Sequence, residues 1–169
     1  FLTTVANLGP TTFRQRLFPL SRAGLAAGTT AVLMAAACLF YTLLTDDFSV
    51  KYVAFNSNTG LEWGYKIAAF WAGHEGSFFL WLVMTATASA SMRRMAPDSA
   101  AFERGAGLAA GAVLLALTLF LVAVSDPLER LLPDVPTQGR DLNPLLQSPG
   151  MIFHPPLLFA GYACTDCTV

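Results

Sequence analysis

Residues 23–44, AGLAAGTTAVLMAAACLFYTLL, form an uncharged run of 22 residues. A helix of this length, at about 1.5 Å per residue, crosses the roughly 30 Å hydrocarbon layer of a bilayer. The full sequence of 169 residues is 54% hydrophobic and only 12% charged, and its mean hydropathy is +0.53. These values predict an all-α membrane protein rather than a soluble domain.

Three further apolar runs follow this stretch. Residues 67–92 are long enough to span a bilayer although they contain His74 and Glu75, and residues 105–125 carry no charge. A last run, residues 151–163, is shorter than the roughly 20 residues that a spanning helix needs. We therefore predict a polytopic transmembrane helix bundle of about four membrane segments, of which the last is truncated.

The segments between these runs differ in their content of Lys and Arg. Residues 1–22 and 93–104 carry six basic residues, whereas the two long loops, 45–66 and 126–150, carry four. Basic residues are enriched in cytoplasmic loops. We therefore expect residues 1–22 and 93–104 to be cytoplasmic and both long loops to be external.

The composition argues against two other classes of protein. Ten Lys and Arg nearly balance eleven Asp and Glu, so the net charge of −1 gives no indication of nucleic-acid binding. Cys38 lies inside an apolar run, while Cys164 and Cys167 have the spacing of a redox or metal pair but lack a second pair or a His partner. We expect neither a disulfide framework nor a cysteine-based metal site.

Both ends of the chain are atypical. The sequence starts without Met and without the pattern of a signal peptide. At the other end, the last apolar run gives way to the polar segment CTDCTV, residues 164–169. We therefore expect the chain to be a fragment of a longer protein.

The candidate site lies in residues 139–162, GRDLNPLLQSPGMIFHPPLLFAGY, where a polar, proline-rich segment meets an apolar one at His154. A residue before proline is pushed towards an extended conformation. A helix can begin at Pro155 with His154 in its cap region, or begin at Pro149 and be kinked by Pro155 and Pro156, which frees carbonyl groups that need partners. Both alternatives place His154 on irregular backbone lining a cavity. Two roles stay open for this histidine: it binds a ligand or transfers a proton, or it is structural.

Two other groups of residues are candidates. His74 and Glu75 are neighbours, so on a helix they point about 100° apart and face different partners. They suit either a proton relay, or contact with a polar ligand, or buried hydrogen bonds that fix helix packing. Arg140, Asp141 and Asn143 resemble a charged turn, for which a structural role is expected ahead of the recognition of an anionic group.

Three segments carry a resemblance to a known family: TDDFSVKYVAFNSN (45–58), WAGHEGSFFLW (71–81) and residues 139–162. In this order they resemble the N-terminal third of the CcmF/NrfE family of cytochrome c biogenesis proteins. The resemblance implies a multi-pass protein of the bacterial inner membrane, with residues 45–66 and 126–150 in the periplasm. It also implies a haem lyase that takes haem from a periplasmic haem chaperone and joins it to apocytochrome c alongside a thiol-reducing partner subunit.

The same resemblance assigns roles to individual residues. His154 matches the external histidine that serves this family as an axial ligand of the haem iron, with Pro155 and Pro156 completing the motif. His74 and Glu75 are further candidates for contact with the cofactor. A different class of protein stays open as the alternative, namely a membrane subunit of an ion- or proton-coupled transporter or energy-transducing complex in which His74 and Glu75 relay protons.

Overall fold

The computed structural model describes residues 11–95 and 107–168, which form six α-helices, one short 3-10 helix and no β-strand. The all-α class predicted from the sequence is confirmed for these residues. The helices are α1 (Thr11–Leu44), α2 (Lys51–Asn56), α3 (Trp63–Ala69), α4 (His74–Met95), α5 (Gly107–Ala123) and α6 (Pro149–Thr168), with the 3-10 helix Pro144–Leu146 before α6. The expectations for residues 1–10, for 96–104 of the cytoplasmic loop and for Val169 concern residues outside this description.

One helix within the described ranges is long and apolar enough to cross a membrane, over Ala23–Leu44 of α1. The pair α3 and α4 passes the same test only if it counts as one bent span, and the apolar part of α5, Ala109–Ala123, is shorter. A single such helix is weaker support for a polytopic protein than the four segments expected from the sequence.

The helix boundaries differ from those expected. Helix α1 already begins at Thr11, within the segment expected to be a loop, where Arg14, Gln15, Arg16 and Leu17 are good helix formers. The continuous helix expected over 67–92 is divided between α3 and α4, which meet at an angle of 81°.

Helices α5 and α6 also differ from the expected segments. Helix α5 is shorter than 105–125 among the described residues, and α6 is longer than 151–163 at both ends. Helix α6 begins at Pro149 because proline is well tolerated in the first turn of a helix, where its missing N–H group has no intrahelical partner.

Helix α4 is the centre of the fold and contacts α1, α5 and α6. Ala86 of α4 is buried, and Thr29 Oγ1 of α1 donates a hydrogen bond to its carbonyl at 3.4 Å. Small side chains at this crossing let the two backbones approach closely. Above it, the ring of Phe70 is fully buried and stacks on Phe40 and Phe79, with centroid distances of 4.4 and 5.6 Å.

The two long loops, 45–66 and 126–150, pack against each other and form what we call the cap. Lys51 N–H donates to the Glu129 carbonyl at 2.8 Å and Leu131 N–H donates to the Ser49 carbonyl at 2.8 Å, on either side of an isolated antiparallel bridge. Backbone groups far apart in sequence thus satisfy each other. The cap is an ordered layer rather than two independent loops.

Leucine side chains fasten the second loop to the core. Leu142 is buried. The loop also contains two pairs of adjacent leucines, of which Leu131 and Leu146 pack against the core while Leu132 and Leu145 stay exposed. The loop therefore docks on the helices, which agrees with the apolar pairs in its sequence.

Large apolar side chains cover much of the outer surface of α1 and α5. A soluble monomer seldom exposes such a continuous apolar surface, because it costs free energy in water. This surface is typical of a protein that contacts lipid or other membrane helices. The residues concerned are Leu33, Met34, Tyr41 and Leu44 of α1 and Leu115, Leu119, Phe120 and Val122 of α5.

Candidate functional site

The junction between α3 and α4 is organised by the hydroxyl group of Tyr52. Tyr52 is buried, and its oxygen lies 2.9 Å from the Ala69 carbonyl and 3.1 Å from the Phe70 carbonyl, to which it donates. The same oxygen accepts a hydrogen bond from Gly73 N–H at 2.9 Å. One side chain of the cap thus satisfies backbone groups on both sides of the 81° bend, and it stabilises the broken helix at this point.

Two glycines make room for this hydroxyl group. A Cβ atom at Gly76 would overlap the Phe70 carbonyl oxygen and the Tyr52 hydroxyl, and one at Gly73 would lie 2.9 Å from Tyr52 Cε2. Neither position can accept a side chain without movement of the backbone or the ring. The small residues on both sides of His74 and Glu75 therefore serve the close approach of Tyr52.

Burial raises the pKa of the Tyr52 phenol above its ordinary value of 10.0, because a phenolate would lose its hydration, and the hydrogen bond from Gly73 N–H opposes this only in part. The group is thus held in its neutral form, in which it both donates and accepts.

His74 and Glu75 line a cleft of about 480 Å³ between the cap and the first turn of α4. Its rim carries an exposed ion pair between Lys51 Nζ and Glu129 Oε2 at 2.7 Å. That hydrogen bond and the charge of Glu129 raise the pKa of Lys51, and Glu75 acts in the same direction. With Asp126 also in the lining, three carboxylates face one ammonium group, so the cleft is acidic.

Helix α6 begins at Pro149 and contains Pro155 and Pro156, as the second of the two expected conformations has it. His154 nevertheless lies on this helix and not on the irregular backbone that both alternatives expected. Pro155 and Pro156 sit inside the helix, where each removes a backbone donor at a cost of about 3 kcal/mol. The carbonyl of Met151, four residues before Pro155, accepts a hydrogen bond from Trp71 Nε1 at 2.8 Å instead. A donor from the α3–α4 junction thus replaces the missing N–H group and lets α6 continue.

The side chain of His154 is exposed, and within the described part of the chain it has no hydrogen-bond partner. Leu157 and Leu158 follow at the helical spacings i+3 and i+4, so they share a face with the imidazole, and both are exposed. An unpaired imidazole nitrogen beside an apolar surface fits the needs of an axial haem ligand, which has to offer a lone pair next to a flat, apolar macrocycle. His74 fits less well because the carboxylates around it repel the propionates of a haem.

The turn residues Arg140, Asp141 and Asn143 make contacts within the cap. The Arg140 guanidinium lies 4.2 Å from the ring centroid of Phe55, and its backbone N–H donates to the Ala54 carbonyl at 2.8 Å. Asp141 has a positive φ of 76° and accepts a hydrogen bond from Leu142 N–H through its carboxylate.

Asn143 caps the 3-10 helix by accepting a hydrogen bond from Leu145 N–H at 3.0 Å. Gly139 precedes this turn, and a Cβ atom there would overlap the Ser57 carbonyl. All these contacts shape the turn.

The structure brings some of the predicted site residues together and separates others. His74 and Glu75 share the acidic cleft, whereas His154 lies on α6 and belongs to none of the clefts described for residues 11–95 and 107–168. Within those residues no three His, Cys, Asp or Glu side chains are placed to hold a metal ion. Cys38 and Cys164 are free thiols, and the side chain of Cys167 lies outside the description.

Sequence reasoning missed the roles of Tyr52 and Trp71. Two signals pointed towards them: glycines on both sides of His74 and Glu75 imply close approach by another group, and a proline inside an apolar helix implies a carbonyl that needs an outside donor. Neither signal identifies the partner, because Tyr52 and Trp71 are distant in sequence from the groups they bind.

Comparison with known proteins gives the class of the protein. Residues 71–168 match the family described as Cytochrome C assembly protein, and the chain belongs to this family. It is similar in particular to the CcmF and NrfE members, as the three sequence segments predicted. No solved structure matches the chain.

Three relatives illustrate this similarity. The probable cytochrome c-type biogenesis protein NrfE of Escherichia coli K12 is 45% identical over 142 residues, covering 82% of this chain and 25% of the relative. CcmF of Pseudomonas aeruginosa PAO1 is 44% identical over 128 residues (74% and 19%), and CcmF of Pseudomonas fluorescens is 43% identical over 133 residues (78% and 20%). The chain thus spans about a fifth to a quarter of the length of these relatives.

Proposed function

We propose that this chain supplies His154 as an axial ligand to haem iron in a haem lyase of cytochrome c maturation. The observation that carries the proposal is the unpaired, exposed imidazole of His154 on a helix held by the bond from Trp71 to the Met151 carbonyl. Membership of the cytochrome c assembly family supports it.

Haem, when bound, supplies the groups that become linked to cysteine thiols of apocytochrome c. The contribution of this chain is orientation rather than acid–base chemistry, because thioether formation needs the reacting groups held in register. His154 would hold the haem iron through its imidazole, and Leu157 and Leu158 on the same face would exclude water beside it. The hydrogen bond from Trp71 Nε1 to the Met151 carbonyl stabilises the direction of the α6 backbone just before His154.

The proposal places the protein in the bacterial inner membrane, with Ala23–Leu44 crossing the bilayer and the cap in the periplasm. The apolar surfaces of α1 and α5 support insertion into lipid. On this side of the membrane a periplasmic haem chaperone, apocytochrome c and a thiol-reducing partner subunit have access to His154 and to the cap.

A proton relay through His74 and Glu75 is the weaker proposal. Both residues lie in the first turn of α4 beside the cap, and residues 76–92 of the same helix contain no ionisable side chain. A relay across the membrane needs further titratable groups along its path, and α4 offers none over these residues.

The test uses a full-length protein, made by replacing the matching segment of the Pseudomonas aeruginosa CcmF relative with this chain. The measurement is covalent haem in a reporter cytochrome c, in cells that lack their own copy. His154→Ala and His154→Gly should abolish maturation, and added imidazole should restore it in the Gly variant, because a free imidazole can occupy the vacated axial position.

Two controls define the outcome. His74→Ala removes the histidine of the acidic cleft, which is the second histidine of the chain. Maturation by this variant should be closer to that of the parent than maturation by His154→Ala. Phe153→Ala alters an exposed neighbour of His154 on the same helix and should do the same. Parental maturation by His154→Ala would refute the ligand assignment.

A further inference from the structure

A second cleft lies at the opposite end of α4 from the cap. It is a groove of about 370 Å³ between α1 and α4, and we call it the basic groove. Its lining combines two arginines, four hydroxyl-bearing residues and four apolar ones. The residues are Arg93, Arg94, Thr29, Thr30, Thr87, Ser91, Leu25, Ala26, Leu33 and Ala90.

The hydroxyl groups of the basic groove are already engaged as donors. Thr30 donates to the Ala26 carbonyl at 2.9 Å and Ser91 to the Thr87 carbonyl at 2.7 Å. Thr87 and Thr29 likewise donate to backbone carbonyls. A ligand with acceptor oxygens therefore has to be held by a guanidinium group, and Arg94, exposed at the mouth of the groove, offers one.

The positive charge of the lining favours a negatively charged ligand. Among the residues described around the groove there is no carboxylate, while both ionisable side chains are arginines. Guanidinium groups bind phosphate oxygens in a planar, bidentate manner. The polar end of the groove thus suits a phosphate group.

The apolar residues select an amphipathic ligand over a free phosphate. Leu25 and Leu33 belong to the membrane-crossing part of α1 and lie about 12 Å apart along the helix axis. Leu33 is exposed, so an acyl chain running along α1 from the arginines would cover it. A ligand with a phosphate group at the arginines and a hydrocarbon chain along the leucines has the chemistry of a phospholipid.

We infer that the basic groove binds an anionic phospholipid of the cytoplasmic leaflet. Basic clefts between membrane helices on that side bind anionic headgroups, and the excess of Lys and Arg in residues 1–22 and 93–104 puts this end of α4 there. The inference rests on the proposed membrane placement, and it is independent of haem binding by His154.

The test measures lipid retention. The full-length chimera is reconstituted into phosphatidylcholine nanodiscs that contain phosphatidylglycerol and then extracted into detergent, and the lipid retained per protein is counted by mass spectrometry. The parent should retain phosphatidylglycerol in preference to phosphatidylcholine. Arg94→Gln should lower that retention about five-fold, as expected for one basic residue near an anionic surface.

Matched variants separate the site from general effects. Arg94→Lys keeps the charge and should keep most of the preference. Thr118→Ala removes a hydroxyl of α5 that donates to its own helix outside the groove, and it should leave retention unchanged. Equal retention of both lipids by the parent, or unchanged retention in Arg94→Gln, would overturn the inference. Displacement of phosphatidylglycerol by inorganic phosphate at equal concentration would overturn it too, because the site would then recognise the anion alone.

The result is distinguishable from that of the haem proposal. Lipid retention is measured on purified protein whether or not a reporter cytochrome matures. Loss of lipid preference in Arg94→Gln with parental haem attachment supports the groove alone, whereas a parental phenotype of His154→Ala leaves the lipid result standing.

Discussion

The indole Nε1 of Trp71 donates a hydrogen bond at 2.8 Å to the carbonyl of Met151. That carbonyl has lost its own helical donor because Pro155 has no N–H group. The bond connects the α3–α4 junction to the helix that carries His154. The position of the candidate haem ligand thus depends on a residue that lies 80 positions before Met151 in the chain.

Trp71→Phe should destabilise the protein by about 1–3 kcal/mol, because it keeps an aromatic ring but leaves the Met151 carbonyl without its donor. Cytochrome c maturation should fall without disappearing, since His154 itself is intact. The melting temperature in detergent and the haem content of the reporter measure the two effects. Trp63→Phe is the matched control, because Trp63 is 76% exposed and should tolerate the change. Equal behaviour of the two variants would argue against the role of the Trp71 bond.

Tyr52→Phe should cost about 1–3 kcal/mol, because Gly73 N–H loses its acceptor and the Ala69 carbonyl loses a donor in a buried place. Tyr41→Phe is the control, since that phenol is 68% exposed. Both effects can be read from thermal unfolding in detergent at neutral pH, where a difference no larger than that of the control contradicts the assignment.

Stability should also depend on pH through Tyr52. Because burial raises the pKa of the folded phenol above 10.0, the unfolded chain releases this proton first as pH rises. The contribution of Tyr52 is therefore complete below pH 10 and is lost progressively above it. Melting temperatures from pH 8 upward should fall more steeply above about pH 10 in the parent than in Tyr52→Phe. Parallel curves would show that the phenol does not titrate in this way.

Gly76→Ala should prevent correct closure of the α3–α4 junction, because the added methyl group overlaps the Phe70 carbonyl and the Tyr52 hydroxyl. We expect loss of folded protein in membranes, measured as protease resistance and as yield after extraction. Gly161→Ala adds the same atom on α6 where nothing lies within 4 Å, and it should raise stability slightly through helix propensity. Parental protease resistance in Gly76→Ala would contradict the predicted overlap.

The ion pair between Lys66 Nζ and Asp46 Oδ2, at 2.6 Å, is mostly buried and joins α3 to the end of α1. Asp46→Asn should cost about 3 kcal/mol, because it leaves the Lys66 ammonium group without its partner in a place with little water. Glu129→Gln removes the partner of Lys51 from an exposed pair and should change the melting temperature far less. Unfolding curves of both variants compare the two pairs directly, and a similar loss in both would show that burial of the first pair is unimportant.

The sequence predicted the helical class and the need for a carbonyl partner near Pro155, because both follow from local chemistry. A run without charges determines a helix in lipid, and a proline inside a helix always removes a donor.

The division of the 67–92 segment could not be predicted, because the group that binds the backbone at the break lies outside the segment. The hydroxyl group that binds the Ala69 carbonyl lies 17 positions earlier, on a loop that reads as polar and irregular. A helix from Pro149 through both prolines was one of the two expected alternatives, but the regular backbone at His154 was not expected. Local propensity disfavours it, and the distant Trp71 supplies the donor that the Met151 carbonyl lacks. Tertiary contacts determine both the break between α3 and α4 and the helical backbone at His154. The hydrophobic periodicity of a single segment does not reveal such contacts.

The pairing of the two loops in the cap has a consequence for biosynthesis. Lys51 and Glu129, which share backbone and side-chain bonds, are 78 positions apart. At about 5–20 residues per second, a ribosome needs about 4–16 seconds to add the second partner after the first. During that interval the Lys51 N–H and the Ser49 carbonyl lack the backbone partners that the second loop supplies. The cap is therefore completed only after the second loop has been synthesised.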